Sequence, residues 1–250
     1  MWNTIYCVTM LLLLVLRTIG IARERAQAAA ELEAARTVQQ VLIPEDIPSI
    51  PGFTIQSVYK PAGQVGGDFF QILPVRAGGV LVVIGGVSGK GMPAAMTVSL
   101  LVGTIRTLAH YTHSPGEILA AMNQRMMARS NGGFTSCLVL LANAKGALTI
   151  ANAGHISPYL NGKELVLNNG LTLGLAPEAI YSESKFQLPA GEQLTLLTDG
   201  VVEAQDKTGA LLGFERSAAL SIQPAEAIAC AAQAFGQDDD ITVLTLARTA

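Results

Sequence analysis

From Gly52 onward the chain reads as short apolar strands at hairpin spacing, interrupted once by two adjacent helices. That order constrains the fold more than any other feature. Strands that follow one another without helices between them pair antiparallel, and grouped helices pack outside the sheets rather than forming βαβ crossovers. Phe53-Thr-Ile-Gln-Ser-Val58 alternates like a half-buried strand, and Val80 to Ile84 (VLVVI) reads as a buried strand after the Gly78-Gly79 turn. Ser88 to Ala109 is expected to be a helix with Met92, Ala95, Met96, Ser99, Leu100 and Gly103 on its packed side. Ser114-Pro115-Gly116-Glu117 supplies an N-cap serine, a proline at the first helical position and a glutamate at the capping-box position, opening a helix that runs to about Arg129. Strands are expected at 136–141, 147–151, 164–167, 184–188 and 193–198, then a helix over 224–235 and a last strand over 241–246.

The N-terminus is different. Ile5 to Leu16 (IYCVTMLLLLVL) is apolar, and Arg17, Arg23 and Arg25 follow it. A membrane span takes roughly 20 residues, so Trp2 to Ile21 reaches that length only by including Arg17. The run predicts a membrane anchor over residues 1–21, with a signal peptide as the weaker competing reading, and the positive charge on its C-terminal side predicts a cytoplasmic remainder, as at a bacterial inner membrane. Residues 22–43 are rich in the helix formers Ala, Glu, Arg and Gln, with Ala28, Leu32, Ala35, Val38 and Leu42 on one face. This linker helix must stop near Ile43, because Pro44 disfavours helical geometry just before it. It is expected to be a plain connector or a signalling helix that pairs with a second copy over residues 22–42.

A net charge of −3 gives no electrostatic footprint for nucleic acid. Cys7, Cys137 and Cys230 are far apart and lack metal-ligand spacing, so they read as small buried apolar residues. His110, His113 and His155 form no helical metal pair.

The acidic residues are more informative. Asp68 follows Val65-Gly66-Gly67, Asp199 sits between a buried strand and Gly200, and Asp238-Asp239-Asp240 precede an apolar strand. Carboxylates at strand ends are poor choices for stability alone and good ones for a hard divalent cation, which takes oxygen ligands.

The segments Val65-Gly-Gly-Asp-Phe-Phe70, Val87-Ser-Gly-Lys-Gly91, Asn152-Ala-Gly-His155, Thr198-Asp-Gly-Val201 and Asp239-Asp-Ile-Thr242 resemble, in order, the motifs of the SpoIIE-like branch of the PPM phosphatases. Glu31 to Arg36 and Val38 to Pro44 resemble the linker that enters that domain, so the likeness covers residues 31–248. The resemblance implies an α+β fold over residues 44–250, a four-layer α-β-β-α sandwich of two antiparallel sheets flanked by helices. It implies two Mg²⁺ or Mn²⁺ ions and hydrolysis of a phosphoserine or phosphothreonine protein by a metal-activated water, with no catalytic side chain. Carried over by motif, Asp68, Asp199 and Asp239 are metal ligands, and Val87 offers its backbone carbonyl. The partner it implies is a phosphorylated regulator of the anti-anti-sigma type.

One position departs from the pattern. Relatives carry aspartate before Val-Ser-Gly-Lys-Gly, where this chain has Gly86. The missing carboxylate is the one expected to bridge both metals, so the expectation is an impaired enzyme holding one metal or two, or an inactive phosphatase-fold binding module. Lys90 is expected to be solvated or to contact phosphate, and His155 to bond loop backbone or to assist substrate. Glu203 is expected to cap a helix or stand behind the ligands, and Asp240 to stand behind the ligands.

Overall fold

The structure is a computed structural model that describes residues 2–44, 47–63, 65–75, 78–128 and 133–249. Within the first helix the side chains of residues 2–4, 7, 8, 28, 31, 32, 35 and 38–42 lie outside this description, as does the apolar stripe expected there. In chain order the elements are α1 (Trp2–Leu42), β1 (Phe53–Lys60), β2 (Asp68–Pro74), β3 (Gly79–Val87), α2 (Met92–Leu108), α3 (Pro115–Met127), β4 (Thr135–Asn143) and β5 (Ala147–Ala153). They continue with β6 (Tyr159–Leu160), β7 (Lys163–Glu164), β8 (Asn169–Gly170), β9 (Glu183–Gln187), β10 (Gln193–Leu197), α4 (Asp199–Val202), α5 (Gly213–Leu220), α6 (Ala225–Gly236) and β11 (Ile241–Arg248).

Two sheets lie face to face. One has the order β1-β11-β10-β6-β7; the other runs β2-β3-β4-β5-β8, with β9 also on β5. Apolar side chains from both inner faces make the central core, among them Phe70, Val82, Ile84, Leu138, Leu140, Leu196, Leu244 and Leu246. The outer face of the second sheet packs on α2 and α3 through Leu81, Val83, Val98, Leu101, Ile105, Ile118 and Met122. The outer face of the first packs on α4, α5 and α6 through Leu197, Val201, Ile228, Ala229 and Val243. Each fully buried Leu, Ile or Val side chain contributes about 1.5–3 kcal/mol. The alternation along β3 and β4, which sends odd and even residues to opposite apolar layers, is what makes those strands apolar throughout. The sheets are antiparallel except for one short parallel pairing, β5 with β8.

Several boundaries differ from those the sequence suggests, each for a local reason. Helix α2 starts at Met92 rather than Ser88, because Gly89 and Gly91 hold φ of 96° and 75° in the left-handed region. Its buried stripe is Ala94, Ala95, Val98, Leu101, Val102 and Ile105, whereas Met96 is exposed and Gly103 lies open. Ser114 caps α3 as expected, accepting the Glu117 amide at 3.3 Å, but the Glu117 carboxylate accepts from Thr112 instead of closing a capping box. The 164–167 segment contributes only the two-residue β7. Cys137 is buried, but Cys230 is exposed, unlike the buried role expected of it.

Helix α1 is continuous over 41 residues, so the change from apolar to alanine-rich composition is no helix boundary. It ends before Pro44 and packs against α2. Among the described residues no helix is long and apolar enough to cross a membrane.

Candidate active site

The mouth of the sandwich is where the ends of β3 and β10 meet the loops before β2 and β11. A cavity of about 400 Å³ opens there, lined by Asp68, Gly86, Val87, Lys90, Ser136, His155, Asp199, Asp239 and Asp240, with Phe134 and Thr172 at its sides. Of the residues expected at the site from sequence, Glu203 alone is missing from this lining. It forms the C-cap of α4, its amide donating to the Asp199 carbonyl at 2.8 Å.

Close backbone approach builds the cavity. A Cβ on Gly67 would stand 2.8 Å from the Val87 carbonyl oxygen, and one on Gly200 would stand 2.0 Å from the Asp240 carbonyl oxygen. Only glycine fits where loops pack this tightly. The Asp240 carboxylate ties the loop before β2 to the strand β11. It accepts from the Ala62 amide at 2.9 Å, the Gly67 amide at 2.6 Å and the Asp68 amide at 3.4 Å. Asp240 is therefore an anchor for the loop.

Asp68 is buried at the start of β2. Its Oδ2 accepts from the Thr242 hydroxyl at 2.6 Å, and the Thr198 hydroxyl in turn accepts the Thr242 amide at 2.9 Å. Burial pushes the Asp68 carboxyl well above the usual range; the Thr242 and Thr198 hydroxyls oppose this, and Asp240 and Asp199 add to it. Asp199, at the mouth, is also raised, first by loss of solvent and then by Asp239 and Glu203. These carboxylates repel one another, and a cation between them relieves that cost.

Lys90 stands at the rim with 71% of its side chain exposed. It donates to the Asp238 carbonyl at 3.2 Å and pairs with Asp239 at 3.7 Å. So exposed a pair contributes about 0–1 kcal/mol, which leaves Lys90 free to turn toward an anion. His155 is buried. Asn152 holds its backbone from both sides, and its Nδ1 shares a 3.0 Å hydrogen bond with the Ser136 hydroxyl. Burial lowers its pKa to about 4, against the Leu197 backbone, so the ring is neutral. His155 is thus a structural histidine first.

The donor set chemically suits a hard divalent cation, since it consists of carboxylates and a backbone carbonyl. The geometry is an open cradle. Among the described residues no three His, Cys, Asp or Glu side chains stand close enough together to enclose an ion directly. Such an ion would keep part of its water shell, as Mg²⁺ readily does. Asp68, Asp199, Asp239 and Val87 line the same cavity and are the residues that would hold such an ion; Gly86 has no side chain to add to them. Gly86 is unlike its neighbours in another way. A Cβ there would meet only Asp68 Oδ1 at 3.1 Å and Ser136 Oγ at 3.8 Å, and its φ is not in the left-handed region.

Sequence reasoning missed Thr198, Thr242 and Ser136. Both threonines lie inside quoted motifs, but their role depends on strand pairing that brings β11 beside β10 and under β2. A second cavity of about 320 Å³ shares the Val87 to Lys90 wall and is lined by Pro93, Ala94, Met126 and Met127.

Residues 76–249 match the family model described as Stage II sporulation protein E (SpoIIE). The chain is 27% identical over 190 residues to the phosphoserine phosphatase RsbU of Bacillus subtilis, covering 73% of this chain and 56% of that protein. It is 25% identical over 219 residues to protein IcfG of Synechocystis sp., covering 74% of this chain and 34% of that protein. The SiaA-PP2C domain of Pseudomonas aeruginosa superposes with a TM-score of 0.76 at 23% identity, over 90% of this chain and 98% of that domain. The chain thus spans only part of the length of each curated relative.

Proposed function

Because the chain belongs to the SpoIIE family of PPM-type phosphatase domains, we propose that it is a metal-dependent serine/threonine protein phosphatase weakened at its second metal position. The observation that carries this reading is the convergence of Asp68, Asp199, Asp239 and the end of β3 on one cavity from four separate chain segments. When bound, Mg²⁺ or Mn²⁺ supplies positive charge that pairs with phosphate oxygens and makes a water more acidic. The chain's own residues do the rest. Thr242 and Thr198 orient Asp68, Asp240 fixes the loop that carries it, and Lys90 reaches a phosphate from the rim.

The substrate in this reading is a phosphorylated regulator of the anti-anti-sigma type. It rests on the family resemblance of the motifs; the likeness to the phosphoserine phosphatase RsbU supports a phosphoserine substrate. Location is part of the proposal. Met10 to Leu16, Ile19 and Ile21 expose 41–64% of their surface around α1, with Arg17 among them and Arg23 and Arg25 after them. That supports attachment to an inner membrane with the sandwich on the cytoplasmic side. Full chain that stays in the soluble fraction after cell lysis would exclude the attachment.

A second reading is favoured by Gly86: an inactive phosphatase-fold module that binds its regulator without hydrolysing it. Mn²⁺-dependent hydrolysis of a small aryl phosphate decides between them. Measurable metal-dependent turnover by the unaltered chain supports the enzyme. Complete silence, with tight binding of a phosphorylated regulator, supports the binding module.

A further inference from the structure

Away from the cavity, the end of β1 meets α6 through a cluster that phosphatase chemistry does not use. Lys60 Nζ lies 3.1 Å from Cys230 Sγ, 2.9 Å from Glu226 Oε1 and 3.4 Å from Gln233 Oε1. The Cys230 thiol in turn donates to Glu226 Oε1 at 3.1 Å, one helical turn away. Cys230 is exposed, so small oxidants reach it. An amine, a thiol and a carboxylate in mutual contact are the parts needed for capture of an oxidised sulfur by nitrogen.

We propose that Lys60 and Cys230 form a reversible covalent cross-link when the protein meets hydrogen peroxide, a sulfenamide joining β1 to α6. Glu226 takes the thiol proton, and the thiolate, the reactive form of cysteine, attacks one peroxide oxygen. An S–O bond forms and the O–O bond breaks. The leaving hydroxide takes a proton from the Lys60 ammonium and departs as water. Sulfur is oxidised by two electrons and peroxide is reduced by two, giving sulfenic acid. The Lys60 amine, now neutral, attacks that sulfur; an N–S bond forms, the S–O bond breaks, and hydroxide leaves with a proton from nitrogen as a second water. Glu226 releases its proton to solvent.

The cross-link would sit close to the aspartate loops. Gln237 Nε2 donates to the Lys60 carbonyl at 2.7 Å and to the Asp239 carbonyl at 3.2 Å. The Ala62 amide, two residues from Lys60, holds Asp240. Tying β1 to α6 therefore stiffens the two segments that anchor the cavity's carboxylates. This inference does not depend on the phosphatase reading.

The test treats the full-length chain with hydrogen peroxide and follows it by intact mass and peptide mapping. The expected product is about 2 Da lighter, contains a Lys60–Cys230 peptide pair, and is reversed by dithiothreitol. Lys60→Arg keeps a cation beside the sulfur but lacks the nucleophilic amine; it is expected to stop at a sulfenic acid that dimedone traps. Cys230 oxidised in the unaltered chain with no linked peptide pair would overturn the proposal. So would the same 2 Da loss in Lys60→Arg.

Discussion

The Thr242 hydroxyl donates to Asp68 Oδ2 across the gap between the two sheets. Thr242 belongs to β11 in one sheet and Asp68 to β2 in the other, so this bond locks the sandwich at its open end. It also offsets part of the cost of keeping a carboxylate in a buried place. Thr242→Val keeps the shape and deletes the donor. Loss of about 1–3 kcal/mol in urea denaturation is expected, together with weaker Mn²⁺ binding by calorimetry. Unchanged stability and unchanged metal affinity would show the bond to be idle.

On the proposed reading, Gly86→Asp supplies a carboxylate for a second metal ion. Its Cβ has room, with Asp68 Oδ1 giving way by a few tenths of an ångström. Without metal the new carboxylate repels Asp68 and lowers stability by about 1 kcal/mol. With saturating Mn²⁺ the variant becomes the more stable of the two, because metal binds the folded form alone. Aryl phosphate hydrolysis rises at least about tenfold, equivalent to about 1.4 kcal/mol of barrier. No gain over the unaltered chain would refute the missing-ligand account.

Asp240→Ala removes an acceptor shared by three backbone amides. Each buried donor left unpaired costs about 1–3 kcal/mol. The expected signature is local: hydrogen exchange at Gly67 and Asp68 accelerates more than exchange in the helices α2 and α3. Uniform acceleration across the sandwich would point to global loss of stability instead.

His155 makes stability depend on pH. Its folded pKa is lowered to about 4 from 6.5, so its contribution is complete above pH 6.5 and is lost as pH falls toward 4. A shift of this size corresponds to about 3 kcal/mol. The raised pKa of Asp68 works the other way, favouring the folded form at low pH and costing stability as pH rises. Comparing the unaltered chain with His155→Gln separates the two. The gap between their melting temperatures changes between pH 7 and pH 4 if the histidine titrates as described.

Deleting Met1 to Ala30 tests whether α1 carries information. Helix α1 packs against α2, and α2 follows the Gly89-Lys90-Gly91 loop of the cavity wall. A helix that pairs with a second copy gives, on deletion, a smaller mass by light scattering and a changed Mn²⁺ affinity. No change in either would reduce α1 to a tether.

How much of this was readable in advance depends on the residue. The aspartates were legible because a carboxylate beside glycine at a strand end has little reason to exist except a ligand or a turn. The order of strands and the helix pair was legible from periodicity. Strand β2 was not: Asp68 to Ile72 is buried throughout, and Gln71 sits in its middle, 1% exposed, as the acceptor for Arg106 Nε. A polar residue there breaks the apolar run that marks a buried strand. Thr242 and Ser136 were invisible for another reason. What they do is fixed by the strand facing them, and a single sequence does not carry that pairing.

The glycines at the mouth divide into two kinds. Those of the loops around it, such as Gly67 and Gly200, are held by neighbouring backbone and would break the loops if they changed. Gly86 faces only the tips of two side chains, so the scaffold places no demand on it. The framework around the mouth thus stands without reference to what occupies position 86. A side chain introduced at Gly86 would therefore probe the chemistry of the cavity without disturbing the loops that build it.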